Sequence, residues 1–321
     1  MTDTGSRLTL RTGSIEVVLL MAGASVQSIR LPGVAHSLAL GASDLSVYGK
    51  ANRSFLGATI GRNANRLAGG RLPIDGTVHQ LSVNEAPNQL HGGGTGFWAR
   101  DWTVAEASDE HAVLTLEAAD GEDGYPGAAS VRATFRVADE GVLTIRYEGT
   151  VSRRSVLNMT SHLYFNLSGE ASTRDHLLQI HADAYLPVDA ALIPTGEQRS
   201  VEDTPFDFRT PRPIGSGPAM LDHNFCLNGG RTTTPRPVAS LSAGGVTLDL
   251  ASTERGLQIY DGTLFDGSIT GLDGQGIGAY GGIAIEPQQW PDAPNQPGFP
   301  PTLVDPGELY VHESVYRFSR S

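Results

Sequence analysis

The chain has 321 residues and a formal net charge of -12. That field repels phosphate backbones and no block of Lys or Arg offsets it locally, so nucleic acid and anionic membrane are not expected partners. A single cysteine, Cys226, excludes an intramolecular disulfide and fits a reducing compartment, with the cytoplasm as the expected location.

Taken in chain order, the first apolar run is VVLLMAGA at 17–24, too short to cross a bilayer and read as a strand. FLGATIGRNANRLAGG then places Arg62, Asn63, Asn65 and Arg66 in a turn-like context between glycines. Asp75-Gly76, between RLPI and TVHQL, signals a hairpin. In NQLHGGGTGFWARDW, His91 precedes three glycines, where the backbone can approach a ligand closely. AVLTLEA, SVRATFRVAD and GVLTIRYEGTV follow, the last two joined by a turn near Gly141. In the last of them Leu143, Ile145 and Tyr147 alternate with Thr144, Arg146 and Glu148, the pattern of a strand with one buried face.

NMTSHLYFNLSG sets His162 and Tyr164 on one face of a strand, with Leu163 and Phe165 on the other. HLLQIHADAYLPV and GVTLDLAS are further strands, and the Pro/Gly/Thr-rich chain on both sides of LDHNF reads as long site-bearing loops. GGIAI is a short strand that delivers Glu286 to its end, and EPQQWPDAPNQPGFP (286–300) reads as a loop because proline removes a ladder donor. ELYVHESVYRF closes the chain as a strand. Glycine, 39 residues against an average of about 7%, is dispersed into turns, and no amphipathic helix stands out. The expectation is an all-β chain forming one domain over 1–321, since all-β units exceed the usual domain length.

Of the chemistries open to such a chain, several lack their residues. There is no H-E-x-x-H pair, and one cysteine excludes thiolate-rich zinc sites. His91, His162 and Glu286 offer two nitrogens and a carboxylate, but no local spacing favours a metal, and none is expected. Neither a G-x-S-x-G elbow nor a nucleotide-binding glycine motif occurs, so no cofactor is expected.

GRNANR, LHGG followed by GF and W, DGYPG, NMTSHLYFNL, IPTGEQRSVEDTPFDFR, LDHNF and EPQQWPDAPNQPGFP stand in the order and approximate spacing of the aldose 1-epimerase family, which the chain resembles from about Gly23 to Phe318. The resemblance implies a single large β-sandwich with an open sugar cleft, an isomerase that interconverts the α and β anomers of a free monosaccharide, and a monomer or homodimer. Carried over by position, it implies Glu286 as general base and His162 as general acid, with Asn65, Arg66, His91, Asp222 and Gln258 binding hydroxyls and the ring oxygen.

The chemistry asks for such a pair independently. Opening the hemiacetal removes a proton from the anomeric hydroxyl and gives one to the ring oxygen. Ordinary pKa values of about 4.3 and 6.5 make Glu286 ionised at neutral pH, and a nearby anion, Asp222 or Glu286, is expected to raise the His162 pKa toward the charged form. Phe97, Trp98, Tyr164 and Trp290 are aromatic candidates for the sugar face. Gln288 and Gln289 either hold the loop backbone or touch the sugar. Family members often have NH where this chain has Ser161-His162, and YTGN where it has YDGT at 260–263; Asp261 adds a charge near Gln258. Glucose, galactose, xylose and arabinose all remain open as substrates. Two other readings are a sugar 6-phosphate mutarotase, for which Arg62, Arg66 and Arg71 are the candidate cations, and a non-catalytic carbohydrate-binding β-sandwich.

Overall fold

A computed structural model describes residues 7–320, and in these the regular structure is β-strand with short 3-10 turns and no α-helix. Period-two alternation becomes two antiparallel sheets packed face to face. The larger has nine strands, ordered Arg212–Pro213, Leu177–Ile180, Arg236–Ala243, Val246–Ser252, Tyr310–Arg320, Val142–Val151, Ala129–Ala138, His111–Ala118 and Thr103–Ala107. The smaller has six, ordered Tyr164–Phe165, Ile283–Gln288, Gly256–Tyr260, Asp222–Leu227, Ala182–Tyr185 and Arg199–Ser200. A three-stranded sheet, Arg7–Arg11, Glu16–Leu20 and Ser25–Arg30, contains the first half of the early apolar run, and the second half, 21–24, is not strand as read but the turn into Ser25–Arg30.

The sheets meet in one apolar core. Leu143, Ile145, Leu248, Leu250, Tyr316 and Phe318 from the nine-stranded sheet share it with Phe165, Phe225, Leu257, Ile259, Ile283 and Ile285 from the six-stranded one. Phe165 touches Tyr316 and Phe318 across the interface, with ring centroids 5.9 and 6.2 Å apart. Burial of these side chains, at roughly 1.5–3 kcal/mol each before the entropy of ordering is subtracted, is the main force holding the sheets together. Asp75-Gly76 forms the expected two-residue turn, both residues at positive φ, between strands registered Ile74 to Thr77.

One strand runs further than its sequence suggests. Pro287 lies inside Ile283–Gln288, paired with Leu257 on one side, so the loop begins at Gln289 and not at Glu286. Its missing N–H does no harm. The neighbouring outward amides, Ile285 and Gln289, donate to the Leu163 carbonyl and to Asn158 Oδ1, and the adjoining strand Tyr164–Phe165 pairs only as far as Ala284. On the side its nitrogen faces, opposite to Leu257, proline therefore occupies a position with no ladder partner. His162 likewise falls between two short strands, Thr160–Ser161 and Tyr164–Phe165, yet the predicted faces hold: its ring lies 4.9 Å from that of Tyr164, while Leu163 and Phe165 enter the core.

Among the described residues no helix is long and apolar enough to cross a membrane. Several histidines are buried as neutral acceptors. His176 Nε2 accepts from the Leu167 amide at 2.9 Å, and burial pushes its pKa down from 6.5 to about 4; burial does the same to His223. As pH falls, the unfolded chain takes up these protons first, so their contribution to stability is complete above pH 6.5 and is lost toward pH 4. Thermal unfolding followed by circular dichroism is expected to show Tm falling across that window, with a shallower fall in His176→Gln.

Candidate active site

The outer face of the six-stranded sheet carries the site. Alternation sends Leu257 and Ile259 into the core and leaves Gln258 and Tyr260 outward; Ile283 and Ile285 go inward and Glu286 outward; Phe225 goes inward and Asp222 and Asn224 outward. Register then brings Gln258 directly opposite Glu286, and Asp222 diagonally from Gln258. Loops cover this polar face, forming a cleft of about 290 Å³. All seven residues singled out from the sequence, Asn65, Arg66, His91, His162, Asp222, Gln258 and Glu286, line it.

Each is held by identifiable bonds. The Asn65 amide donates to His91 Nδ1 at 3.1 Å and the His91 amide donates to the Asn65 carbonyl at 3.1 Å, while Arg66 pairs with Leu90 in a short ladder. Two motifs far apart in sequence are thus one structural unit. The His162 amide donates to the Ala58 carbonyl, which seats its ring against Phe55, at 5.8 Å, and His91, at 5.3 Å. Gln258 Nε2 donates to Asp222 Oδ1 at 2.5 Å. Arg66 meets Glu85 through Nε at 2.6 Å and Nη2 at 2.8 Å, while its Nη1 stops 3.8 Å from Asp222 Oδ2. At the closed end His162 Nε2 and Glu286 Oε1 lie 3.5 Å apart.

Burial decides the electrostatics. Glu286 is held well above the usual carboxylate range, by desolvation first and by the Asp222 charge second, with Arg66 opposing. His162 is pushed down to about 3 by desolvation. Burial thus opposes the expected ionisation of Glu286, and the expectation that nearby anions raise the His162 pKa is corrected, because both groups are in a medium that disfavours charge. Asp222 is also raised by burial, moderated by Arg66 and Gln258. His91 lies well below its ordinary value through burial, His162 and Arg66.

His91, His162 and Glu286 do converge, with one possible ligand atom each, all within 4.8 Å of one another. Because His91 Nδ1 accepts from the Asn65 amide, its neutral ring carries the proton on Nε2. The trio therefore offers a donor at that corner where a metal needs a lone pair, and it suits an oxygen-rich ligand better than a cation.

Other expectations are corrected. Arg62 is buried, donating to the Pro126 and Gly127 carbonyls at 3.3 and 2.7 Å with its guanidinium over Tyr125; it ties GRNANR to DGYPG and does not reach the cleft. Gly92 lets the chain approach the backbone of Gly61 and Arg62, where a Cβ would come within 2.0 Å of the Gly61 carbonyl oxygen, so LHGG serves packing and not a close ligand approach. Of the four aromatics, only Tyr164 lines the cleft; Phe97 and Trp98 are buried behind it and Trp290 packs on Phe299. Asp261 accepts from the Leu221 and Thr263 amides and shapes a loop outside the cleft lining, and its charge, as expected near Gln258, helps to raise the pKa of Asp222, the partner of Gln258. Gln289 holds backbone, its amide donating to Asn158 Oδ1 and its Nε2 to the Leu157 carbonyl; Gln288 is fully buried outside the cleft.

Sequence reasoning missed Phe55, Glu85 and Asp292. Phe55 lines the cleft and packs on both His91 and His162. With Asn65, His91 and Leu192 it is one of four lining residues at positive φ, and such backbone outliers gather where surrounding structure overdetermines a site. Asp292 joins the proline-rich loop to the Arg66 segment: its amide donates to the Arg66 carbonyl and its carboxylate accepts from the Ala68 amide at 2.9 Å, Asn295 and Gln296. A hollow of about 430 Å³, between residues 35–41 and the glycine-rich 271–281 loop, contains none of these acid–base groups.

Comparison with known proteins shows the family. Galactose mutarotase from Homo sapiens is 37% identical over 98% of this chain and 94% of its own length, and aldose 1-epimerase from Escherichia coli is 36% identical over 97% and 94%. An aldose epimerase homologue from C. elegans superposes with a TM-score of 0.92 at 29% identity, covering 98% of this chain and 99% of its own. Galactose 1-epimerase from Lactobacillus acidophilus gives 0.85 at 30%, covering 98% and 94%. With the aldose 1-epimerase family model matching residues 6–317, the chain belongs to the aldose 1-epimerase family.

Proposed function

We propose that the protein is a mutarotase that interconverts the α and β anomers of a free aldose, with Glu286 as base and His162 as acid. The observation that carries this reading is the juxtaposition of Glu286 Oε1 and His162 Nε2, 3.5 Å apart at the buried end of a polar cleft of monosaccharide size. In ring opening the Glu286 carboxylate takes the anomeric hydroxyl proton, the C1–O5 bond breaks, and His162 gives a proton to the ring oxygen. The resulting aldehyde rotates about C1–C2 and recloses on its other face as the two protons return. Atoms balance with no net proton exchanged, so neither a covalent intermediate nor a redox partner enters.

Asn65, Arg66, His91, Asp222 and Gln258 hold the hydroxyls, supplying donors and acceptors from the cleft walls. A 6-phosphate substrate is less well served. Of the cations the sequence offered for a phosphate, Arg62 is committed to backbone, Arg71 lies outside the cleft lining and Arg66 is already paired with Glu85, which leaves Arg53 as the other arginine of the lining. The apolar core running from Leu10 to Phe318 supports reading the chain as one domain.

The protonation states give this reading a pH signature. The reaction needs one proton on the Glu286–His162 pair, carried by the imidazole when ring opening begins. A second proton is added only near pH 3, the His162 value. The single proton is lost as pH rises through the elevated Glu286 value, whose direction is set by burial and Asp222. Polarimetry of a freshly dissolved α-aldose is expected to show catalysed decay of rotation, with kcat/KM flat through the mildly acidic range and falling on the alkaline side. A rate that instead climbs through the Glu286 titration would contradict the one-proton pair.

A further inference from the structure

We infer that Glu85, which takes no part in the acid–base chemistry, is a positioning residue that holds open a hydroxyl-reading gap between Arg66 and Asp222; this rests on the mutarotase reading for its substrate. The inference starts from how the guanidinium is divided. Its Nε and Nη2 edge is occupied by both carboxylate oxygens of Glu85, at 2.6 and 2.8 Å, a two-point grip that fixes orientation as well as charge. The remaining nitrogen, Nη1, faces Asp222 Oδ2 at 3.8 Å, beyond hydrogen-bond range.

On the other side Gln258 Nε2 holds Asp222 Oδ1 at 2.5 Å, so the aspartate is also restrained. A donor and an acceptor are thereby kept apart on the wall of the cleft. One sugar hydroxyl fits that arrangement in both of its capacities, accepting from Nη1 and donating to Oδ2, at ordinary hydrogen-bond lengths on each side.

Glu85 sets the width of the gap. Arg66 is nearly buried, its side chain 10% exposed, whereas that of Glu85 is 38% exposed at the margin. Two anions compete for one cation, and the better-buried one, Asp222, has its own pKa raised by desolvation with Arg66 opposing the rise. Without the Glu85 grip, Arg66 turns toward Asp222 and closes on it, and a sugar must then break that bond before its hydroxyl can enter. The effect falls on binding and leaves the reacting atoms untouched.

The test compares wild type with Glu85→Gln and Glu85→Asp on D-glucose and its 2-, 3-, 4- and 6-deoxy analogues, by polarimetry or anomeric proton exchange. For glucose, Glu85→Gln is expected to raise KM about tenfold, the scale of one hydrogen bond to a charged group, with kcat nearly unchanged; Glu85→Asp recovers part of the loss. For one deoxy sugar only, the one lacking the hydroxyl read by Arg66 and Asp222, wild type and Glu85→Gln are expected to perform alike. An equal penalty on every sugar, a fall in kcat instead of a rise in KM, or no change at all overturns the inference. Should wild type accelerate no sugar, the mutarotase reading fails by itself, and the same pattern sought in calorimetric Kd values decides the role of Glu85.

Discussion

Glu286→Gln is expected to lower kcat by about 10²–10⁴-fold, the usual worth of one positioned base, with KM little changed. The substitution preserves shape and replaces a group that can accept a proton with one that cannot. It also removes a buried ionisable group whose charged form the surroundings disfavour, so Tm is expected to hold or rise, which separates lost chemistry from lost folding. Stopped polarimetry for the rate and differential scanning calorimetry for the fold check both halves. A variant that stays folded and keeps wild-type kcat would remove Glu286 from the mechanism.

His162→Gln carries the second large effect, again about 10²–10⁴-fold in kcat. Its structural context differs. The imidazole ring packs among Phe55, His91 and Tyr164, with centroid distances of 5.8, 5.3 and 4.9 Å, so some loss of Tm is expected as well. The two losses are also coupled. If Glu286 and His162 pass one proton between them through the sugar, either variant disables the pair, and Glu286→Gln/His162→Gln is expected to be little slower than the worse single variant. Losses that multiply in full would show that the residues act independently. The pH profile adds a separate check, because the alkaline fall assigned to the pair should be absent from whatever rate remains in Glu286→Gln.

Much of this site was legible in the sequence through the resemblance to the aldose 1-epimerase family, carried by several motifs in order, while each motif taken singly fits an ordinary turn or core role. Glu286 follows an apolar strand and precedes a proline-rich segment; His162 shares a face with Tyr164; Asn65 and Arg66 stand between glycines. Strand periodicity also identified the long strands of the nine-stranded sheet, such as Ala129–Ala138 and Val142–Val151. Pairing across distance was not legible. Nothing in SVNEAPNQ marks Glu85 as the partner of Arg66, because their contact arises only when the Gln89–Leu90 strand folds back on Arg66–Leu67.

The directions of the pKa shifts were missed for a related reason. Reference pKa values describe groups in water, and a strand-end acid looks exposed in sequence, whereas Glu286 and His162 are both almost completely removed from solvent. Pro287 shows the converse, since proline in a strand is excluded only if a partner amide or carbonyl needs its N–H, and that depends on a neighbour more than 100 residues away. The proline-rich segment after Glu286 acts as a brace through Asp292, whose bonds to the Arg66 and Ala68 backbone tie the base-bearing strand to the hydroxyl-binding wall.

The most direct measurement is exchange between the α and β anomeric proton signals of D-glucose, D-galactose and D-xylose at equilibrium near neutral pH, with wild-type protein and with Glu286→Gln. Exchange well above the spontaneous rate for at least one of these sugars, abolished in the folded variant, is the predicted result. Folded wild-type protein that leaves all three sugars exchanging at their spontaneous rates would contradict the account.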